Sequence, residues 1–143
     1  MRNLASIDYR HEVPFEVHPL YPGYLTKVTG PLTAQDAETI VSRLETMIAD
    51  SDRNYGFNDW FEATRYETHA RVVFTRFVIR NRARIAAVYL GINASPMLSM
   101  GAQVANTALG GFMRIYNDRA RFDQALEDYR RDHPAPSGTP FAS

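Results

Sequence analysis

The sequence predicts an α/β protein in which helices pack on a mixed, mostly parallel sheet, with the element order ββαβαβαβα. Residues Arg84–Ile92 form a nearly unbroken apolar run, which is typical of a strand inside a sheet that helices cover on its faces. The segments before and after this run have helical spacing, as in a parallel α/β arrangement. Two strand-like segments precede the regular alternation, which makes the sheet mixed rather than fully parallel.

Length and composition favour a small globular domain. The chain has 143 residues, of which 45% are hydrophobic and 22% charged, and its formal net charge is zero. A neutral chain gives no reason to expect nucleic acid or an anionic membrane as partner. Cysteine is absent, which excludes disulfides, thiol catalysis and cysteine metal sites. No stretch approaches the roughly 20 apolar residues of a membrane helix, and residues 1–8 lack a signal-peptide core, so we expect a cytoplasmic protein.

We divide the chain into a loose lead-in over residues 1–12, one domain over residues 13–132 and a disordered tail over residues 133–143. The lead-in is polar and mixed in composition. The tail is rich in proline and glycine, a composition that does not build a packed core.

The first half of the domain is predicted to contain two strands and a helix. Val13–Leu20 alternates in part, but its two prolines place it at a sheet edge, because proline cannot donate to a strand ladder. After the turn Tyr21–Gly23, the segment Tyr24–Gly30 predicts a second strand, antiparallel to the first. Thr33 is a suitable N-cap for a helix that continues to about Ala49 with helical spacing of its apolar residues.

A strand and a helix lead into the central run. Tyr55–Ala63 is rich in aromatic residues and predicts a short strand near residues 57–62, although its polar residues interrupt the pattern. A helix follows from about Tyr66 or Thr68 to Asn81, with its apolar residues on one face.

The end of the domain repeats the same alternation. After the central run, Ser95 and Pro96 are the expected N-cap and first position of a helix over residues 97–109, which stops at two glycines. A strand over residues 112–116 and a final helix, capped by Asn117 or Asp118, complete the domain.

Two local segments carry a resemblance to a known family. Val28-Thr29-Gly30-Pro31-Leu32-Thr33 is similar to the strand, glycine, leucine-threonine and helix opening of STAS domains, which occur in bacterial anti-sigma factor antagonists, sulfate transporters and stressosome proteins. The segment Asn117–Leu126 resembles the closing helix of the SEC14-like branch of that family. The resemblance extends over roughly Val13 to Tyr129 and implies a STAS-like fold and a role in protein–protein interaction.

The resemblance also implies a phosphorylation candidate. STAS antagonists carry a phosphorylatable serine or threonine at the start of the second helix, and that turn falls on Glu67-Thr68-His69-Ala70 in this chain. Thr68 is its only hydroxyl residue. A phosphate there would meet free backbone N–H groups, a favourable helix dipole and the nearby cations Arg65 and Arg71. The alternative is that Thr68 is simply the N-cap of the helix.

The helix over residues 95–109 is apolar almost all round, so we expect part of it to face a protein partner or a second copy of the chain. The predicted contact surface joins this helix to the turn at Thr68, because loops at the carboxyl ends of parallel strands gather at one edge. Its residues are Glu67, Thr68, His69, Arg71, Asn93, Ser95, Met97, Leu98 and Met100.

The sequence predicts no metal site, no cofactor and no catalytic residues. The four histidines are scattered, without the spacing of a metal site. Asp59, Glu62 and Glu67 form an acidic group without an identifiable nucleophile, and we interpret them as solvated surface. No glycine-rich phosphate motif follows a strand. The arginines of residues 71–84 are interpreted as a solvated helix face rather than a docking site for an acidic partner or anionic lipid.

Two functional hypotheses follow. The first is a non-enzymatic module that contacts a protein partner and forms a homodimer or a higher homo-oligomer. The second, which the SEC14-like resemblance implies, is a carrier or sensor that holds a small apolar molecule between the helix over residues 95–109 and the sheet. An enzyme ranks third, because no set of acid, base and nucleophile can be assembled from the sequence.

Overall fold

A computed structural model describes residues 13–134 of the chain. Within these residues, seven strands and four helices follow one another, with a short 3-10 turn over Arg82–Arg84 between the second helix and the sixth strand. The strands are β1 (Phe15–Leu20), β2 (Gly23–Val28), β3 (Pro31–Leu32), β4 (Asn54–Trp60), β5 (Arg65–Tyr66), β6 (Ile85–Ile92) and β7 (Met113–Tyr116). The helices are α1 (Ala34–Ile48), α2 (Thr68–Arg80), α3 (Pro96–Ala108) and α4 (Arg119–Asp132).

The main sheet has five strands in the order β1-β2-β4-β6-β7. β1 pairs antiparallel with β2, and every other pair is parallel, so the predicted mixed, mostly parallel sheet is confirmed. The apolar run that defined the fold forms β6, which is an interior strand between β4 and β7. The predicted element order is confirmed apart from two short strands that the sequence did not indicate.

Those two short strands, β3 and β5, pair in parallel as a separate two-stranded sheet. Each is only two residues long, too short for any hydrophobic period to be visible in the sequence. Backbone bonds extend the pairing, from Thr64 N to the Gly30 oxygen at 3.2 Å and from Glu67 N to the Leu32 oxygen at 3.0 Å. This small sheet joins the segments that lead into α1 and α2.

The helices divide unequally between the two faces of the main sheet. Side chains of α1, α2 and α3 pack with the larger hydrophobic cluster on one face. α4 covers the other face with Phe122 and Tyr129, which pack against Leu20 and Phe57. Within residues 13–134, none of the helices combines the length and hydrophobicity that crossing a bilayer requires.

The starts of α1 and α4 follow the capping rules that the sequence suggested. Thr33 caps α1 in a reciprocal capping box, in which its hydroxyl accepts from Asp36 N at 3.1 Å and the Asp36 carboxylate accepts from Thr33 N at 3.2 Å. Asp118, one of the two predicted caps of α4, accepts from Ala120 N at 2.9 Å. These helix starts are therefore fixed by local side chains.

The predicted strand near residues 57–62 is wrong in its bounds, since β4 begins at Asn54 and ends at Trp60. Its polar residues do not interrupt it because each has a partner. Asn58 accepts from the Thr26 hydroxyl at 2.7 Å and donates to the Tyr89 oxygen at 3.1 Å. Asp59 pairs with Arg119 of α4 at 2.9 Å.

The predicted lead-in over residues 1–12 and residues 135–143 of the predicted tail lie outside the described part of the chain. Within the described part, His133 follows α4 directly as its C-cap. Its ring stacks on Tyr129 with the ring centroids 4.3 Å apart. The packed structure therefore includes His133.

Asn54 joins three segments at the start of β4. Its buried side-chain Nδ2 lies within hydrogen-bond distance of the carbonyl oxygens of Ile48 (3.1 Å), Ser51 (2.8 Å) and Arg84 (3.0 Å). These oxygens belong to the end of α1, the following loop and the residue before β6. This one amide group therefore fixes where β4 begins. The sequence could not indicate that start, because Asn54 is polar and lies outside the hydrophobic pattern.

We expect Asn54→Ala to lower the free energy of unfolding by about 2 to 3 kcal/mol, because buried carbonyl oxygens lose their donor. Asn54→Asp should lower it further, since a carboxylate cannot donate to these oxygens. Urea unfolding with an unchanged m-value measures the effect. Gln35→Ala, at an exposed position of α1, is the control. Equal midpoints for Asn54→Ala and this control would contradict the assignment.

Candidate functional site

The carboxyl ends of β4 and β6 lie side by side, as the sequence predicted for the turns that follow them. The side-chain amide of Asn93, just after β6, donates to the backbone oxygens of Phe61 (3.1 Å) and Ala63 (3.0 Å), just after β4. Its Oδ1 accepts from Ser95 N at 2.9 Å and so shapes the turn into α3. Asn93 therefore holds the two loops together, and its amide is committed to that structural role.

Glu67 and Thr68 lie at this edge, at the start of α2. Glu67 is the N-cap residue, so the alternative interpretation of Thr68 as the cap is wrong. The Glu67 carboxylate does not cap its own helix but accepts from the backbone N of Ala34, the first residue of α1, at 2.7 Å. Thr68 is the first residue of α2, and Thr68 and His69 are both exposed. The structure thus leaves the Thr68 hydroxyl open to solvent.

α3 has apolar side chains on its solvent side. Met97, Met100 and Val104 are 76%, 67% and 51% exposed. Their spacing of three and four residues places them along one side of the helix, and we call these three residues the outer stripe. The expectation that α3 is partly uncovered is confirmed. Leu98, by contrast, is 3% exposed and packs in the core, so its predicted role as a contact residue is wrong.

A cavity lies beneath α3, between that helix, α2 and the main sheet. It encloses about 70 Å³ that the centre of a water molecule can reach. Since one water needs roughly 10–15 Å³ by this measure, the space corresponds to several waters or a small organic molecule. Most of its lining side chains are apolar. They come from β2, β4, β6 and β7 of the sheet, from Tyr66 of β5, and from both helices.

Tyr66 connects the wall of this cavity to α3. Its hydroxyl donates to the backbone oxygen of Leu98 at 3.1 Å, and its ring end lies where a side chain at Gly101 would be. Burial raises the pKa of Tyr66, and the nearby positive charge of Arg71 partly opposes that shift. Tyr66 is therefore a neutral hydrogen-bond donor at physiological pH, and glycine at position 101 allows α3 to approach it closely.

The deep polar groups of the cavity wall are also neutral. Burial raises the pKa of Tyr24, with a smaller opposing effect from the side chain of Asn58. Trp60 donates its indole N–H to the Thr26 hydroxyl at 3.1 Å, and that hydroxyl in turn donates to Asn58. The side chains of Trp60, Thr26 and Asn58 hydrogen-bond to one another inside the sheet, so they shape the cavity wall without contributing charge.

Arg71 stands at the partly exposed rim of the cavity, and within residues 13–134 it is the only charged residue among the lining side chains. Three other arginines of the same segment have partners. Arg80 pairs with Glu45 at 2.6 Å, Arg84 donates to the Ala49 oxygen at 3.2 Å, and the Arg82 guanidinium lies 3.8 Å from the centre of the Phe112 ring. Among residues 13–134, no carboxylate forms an ion pair with Arg71.

The structure brings the predicted surface together at one edge and adds residues that the sequence did not indicate. Of the predicted residues, Glu67 and Asn93 make structural bonds, Leu98 is buried, and the others are exposed or lie at the rim of the cavity. The sequence did not indicate that Trp60, Tyr66, Phe74 and Gly101 line a cavity. An aromatic residue beside a cavity has the same sequence pattern as one in a filled core, so only the structure separates them. Within the described part of the chain, no group of three or more histidine or acidic residues is placed to hold a metal ion.

Comparison with known proteins identifies the fold. No protein-family model matches the chain, and a search of curated proteins finds no match. The structure is similar to the crystal structure of an uncharacterised protein of the DUF3478 family with a SpoIIAA-like fold, from Shewanella loihica PV-4, at a TM-score of 0.56 and 17% sequence identity, covering 78% of this chain and 91% of that one. The chain therefore has the SpoIIAA-like (STAS) fold that the sequence resemblance implied.

The contact between Gly101 and Tyr66 makes a prediction about α3. Alanine in a helix is usually more stable than glycine by up to about 1 kcal/mol. We expect Gly101→Ala to destabilise the protein instead, because the added methyl group would overlap the Tyr66 hydroxyl. In a Tyr66→Phe background the penalty should be smaller by at least about 0.5 kcal/mol, since the oxygen is gone. A double-mutant cycle of thermal unfolding measures this, and strictly additive effects would contradict the contact.

Proposed function

We propose that this protein is a non-enzymatic interaction module of STAS type, acting in the cytoplasm, whose contact surface is the outer stripe of α3 together with the adjoining turns at Thr68 and Ser95. The observation that carries the proposal is the exposure of Met97, Met100 and Val104 on α3, the helix that follows β6 at the carboxyl edge of the sheet. Flexible methionine side chains adapt well to the surface of a partner. Exposed apolar stripes of this kind are typical of interaction sites.

The size of the stripe indicates a weak contact. A helix of 13 residues is about 20 Å long and about 10 Å wide, so it offers on the order of 200 Å² to a partner. A stable interface buries about 800 Å² on each side. The contact must therefore include the neighbouring turns, and even then we expect it to be transient, as regulatory contacts often are.

The charge of α3 favours a second copy of the chain as the partner. The helix contains no charged residue between Pro96 and Ala108. Two copies can pair across a two-fold axis without bringing like charges together. A strongly charged partner would find no counter-charge on the helix itself. We therefore propose self-association through α3, with a different protein partner as the alternative outcome of the experiment.

The polar groups at this edge support a binding role rather than catalysis. Asn93 holds two loops, the Glu67 carboxylate holds the start of α1, and Asn117 donates to the Ile92 oxygen at 3.0 Å. Asp59 is paired with Arg119, whose pKa is raised chiefly by the hydrogen bond to that carboxylate. Groups that are committed to structural bonds in this way are poorly suited to move protons.

We expect the double variant Met97→Asp, Met100→Asp to stay folded and to lose self-association, because two charges would lie in the apolar contact. Sedimentation equilibrium over a range of concentrations up to the millimolar measures the dimer. The control is Gln35→Asp, Thr39→Asp, which adds the same charge at exposed positions of α1. A wild-type chain that remains a monomer throughout, or a double variant that associates like the wild type, would contradict self-association through α3.

Thr68 could regulate this contact. It is exposed at the first position of α2, where a phosphate is favoured by the helix dipole, and Arg71 follows one turn later on the same helix. In a symmetric dimer, a negative charge added beside the uncharged helix α3 is added twice and opposes association.

We expect Thr68→Glu to weaken self-association by about two- to fivefold, the range of a partly screened surface charge. Thr68→Gln keeps the size of the side chain without its charge and should behave like the wild type. The dissociation constants from sedimentation, measured at low and at physiological salt, are the readout. Identical values for the Glu and Gln variants would show that charge at this position does not regulate the contact.

The cavity favours a second candidate function, a carrier or sensor of a small apolar molecule. The cavity lies between α3 and the sheet, and its lining is largely apolar, which supports this candidate. Ligand sites of this kind combine an apolar body with a few polar groups that orient the ligand. Native mass spectrometry of freshly purified protein separates the two candidates, because a bound ligand adds the mass of a small molecule and self-association adds whole chains.

A further inference from the structure

Among the described lining residues, the cavity has one charged group, which lies at its rim, and the contrast with the apolar interior indicates the chemistry of an occupant. Tyr24, Trp60, Phe77 and Leu90 are among its walls and are neutral, whereas Arg71 brings a positive charge to the rim. In the part of the chain that the structure describes, no acidic residue lines the cavity. Since the local surroundings are largely apolar, the charge is less screened there than it would be in water. An anionic group at the rim would therefore be favoured, with the apolar part of the same molecule inside.

The single positive charge of Arg71 limits the kind of anion that the rim can bind. A single arginine matches a single negative charge, whereas a phosphate group carries nearly two charges and is usually held by more than one cation. The planar guanidinium fits a carboxylate through two parallel hydrogen bonds. The Tyr66 hydroxyl already donates its only proton to the Leu98 oxygen, which leaves Arg71 as the anchor. A monocarboxylate satisfies these conditions.

The volume of the cavity limits the size of the ligand's apolar part. About 70 Å³ of space for water centres holds on the order of five waters. That is comparable to a short acyl chain or a single aromatic ring. Longer chains would have to extend through the rim past Arg71 and Thr75, both of which are partly exposed.

We propose that the cavity binds a small amphiphilic monocarboxylate, whose carboxylate pairs with Arg71 and whose apolar body lies between α3 and the sheet against Trp60. This proposal rests on the second candidate function, since it names the class of ligand that the carrier or sensor would hold. It gives Arg71 a role different from that of Arg80, Arg82 and Arg84, which contact groups of the protein itself.

The test is a titration of the full chain with hexanoate and, separately, with 1-hexanol, followed by backbone NMR. We expect hexanoate to bind with a dissociation constant on the order of 0.1–1 mM and to shift resonances of cavity residues such as Ile92 and Ala102. Arg71→Gln should weaken hexanoate binding about tenfold, the worth of one charge-assisted pair, and leave hexanol unchanged. Arg76→Gln is the matched control, because Arg76 is an exposed residue of α2 that does not line the cavity.

The outcomes separate the ligand class from the carrier function. Equal binding of hexanoate and hexanol, with no effect of Arg71→Gln, would overturn the carboxylate assignment and leave the apolar carrier standing. Failure of both compounds to shift the cavity resonances would overturn the carrier together with its ligand. Equal losses in Arg71→Gln and Arg76→Gln would show a general effect of surface charge and would also overturn the role of Arg71.

Discussion

The parallel pairing of β4 with β2 on one side and β6 on the other is the interaction on which the rest of the structure depends. Parallel neighbours must be joined by crossover connections, so the helices that follow these strands all begin at one edge of the sheet. The register is fixed by side chains inside the sheet, since Thr26 and Asn58 are opposite each other and hydrogen-bonded. A slip of one residue would turn Asn58 to the opposite face and leave buried polar groups without partners.

The sequence was sufficient to predict the elements that local residue patterns determine. It was insufficient to predict features that depend on contacts between segments far apart in the chain. Helical spacing and capping residues such as Thr33 identified the four helices of the described residues, and the apolar run identified β6. The start of β4 was missed because Asn54 is fixed by three carbonyl oxygens from other segments, and β3 and β5 were missed because two residues carry no period. Periodicity also could not tell which side of an apolar helix faces the sheet, and for that reason Leu98 was assigned to the contact surface although it is buried.

α3 links the two functional proposals in one element. Its inner side, with Gly101 and Ala102, lines the cavity, while its outer side carries Met97 and Met100. The hydrogen bond from Tyr66 and the close approach at Gly101 fix the distance between the helix and the sheet. A molecule that enters the cavity therefore touches the same helix that a partner would touch from outside. If occupancy moves α3, the two binding events are coupled, and by linkage each changes the affinity of the other by the same factor.

The position of Trp60 makes its fluorescence a probe of the cavity. It is the only tryptophan of the chain, it is 8% exposed, and it forms part of the cavity wall beside Phe74 of α2, with the ring centres 5.0 Å apart. All indole fluorescence of the protein therefore originates at one buried point, where emission depends on local polarity and on the packing of the helices. Trp60 fluorescence therefore reports displacement of water from the cavity or movement of a covering helix, and no added label is needed.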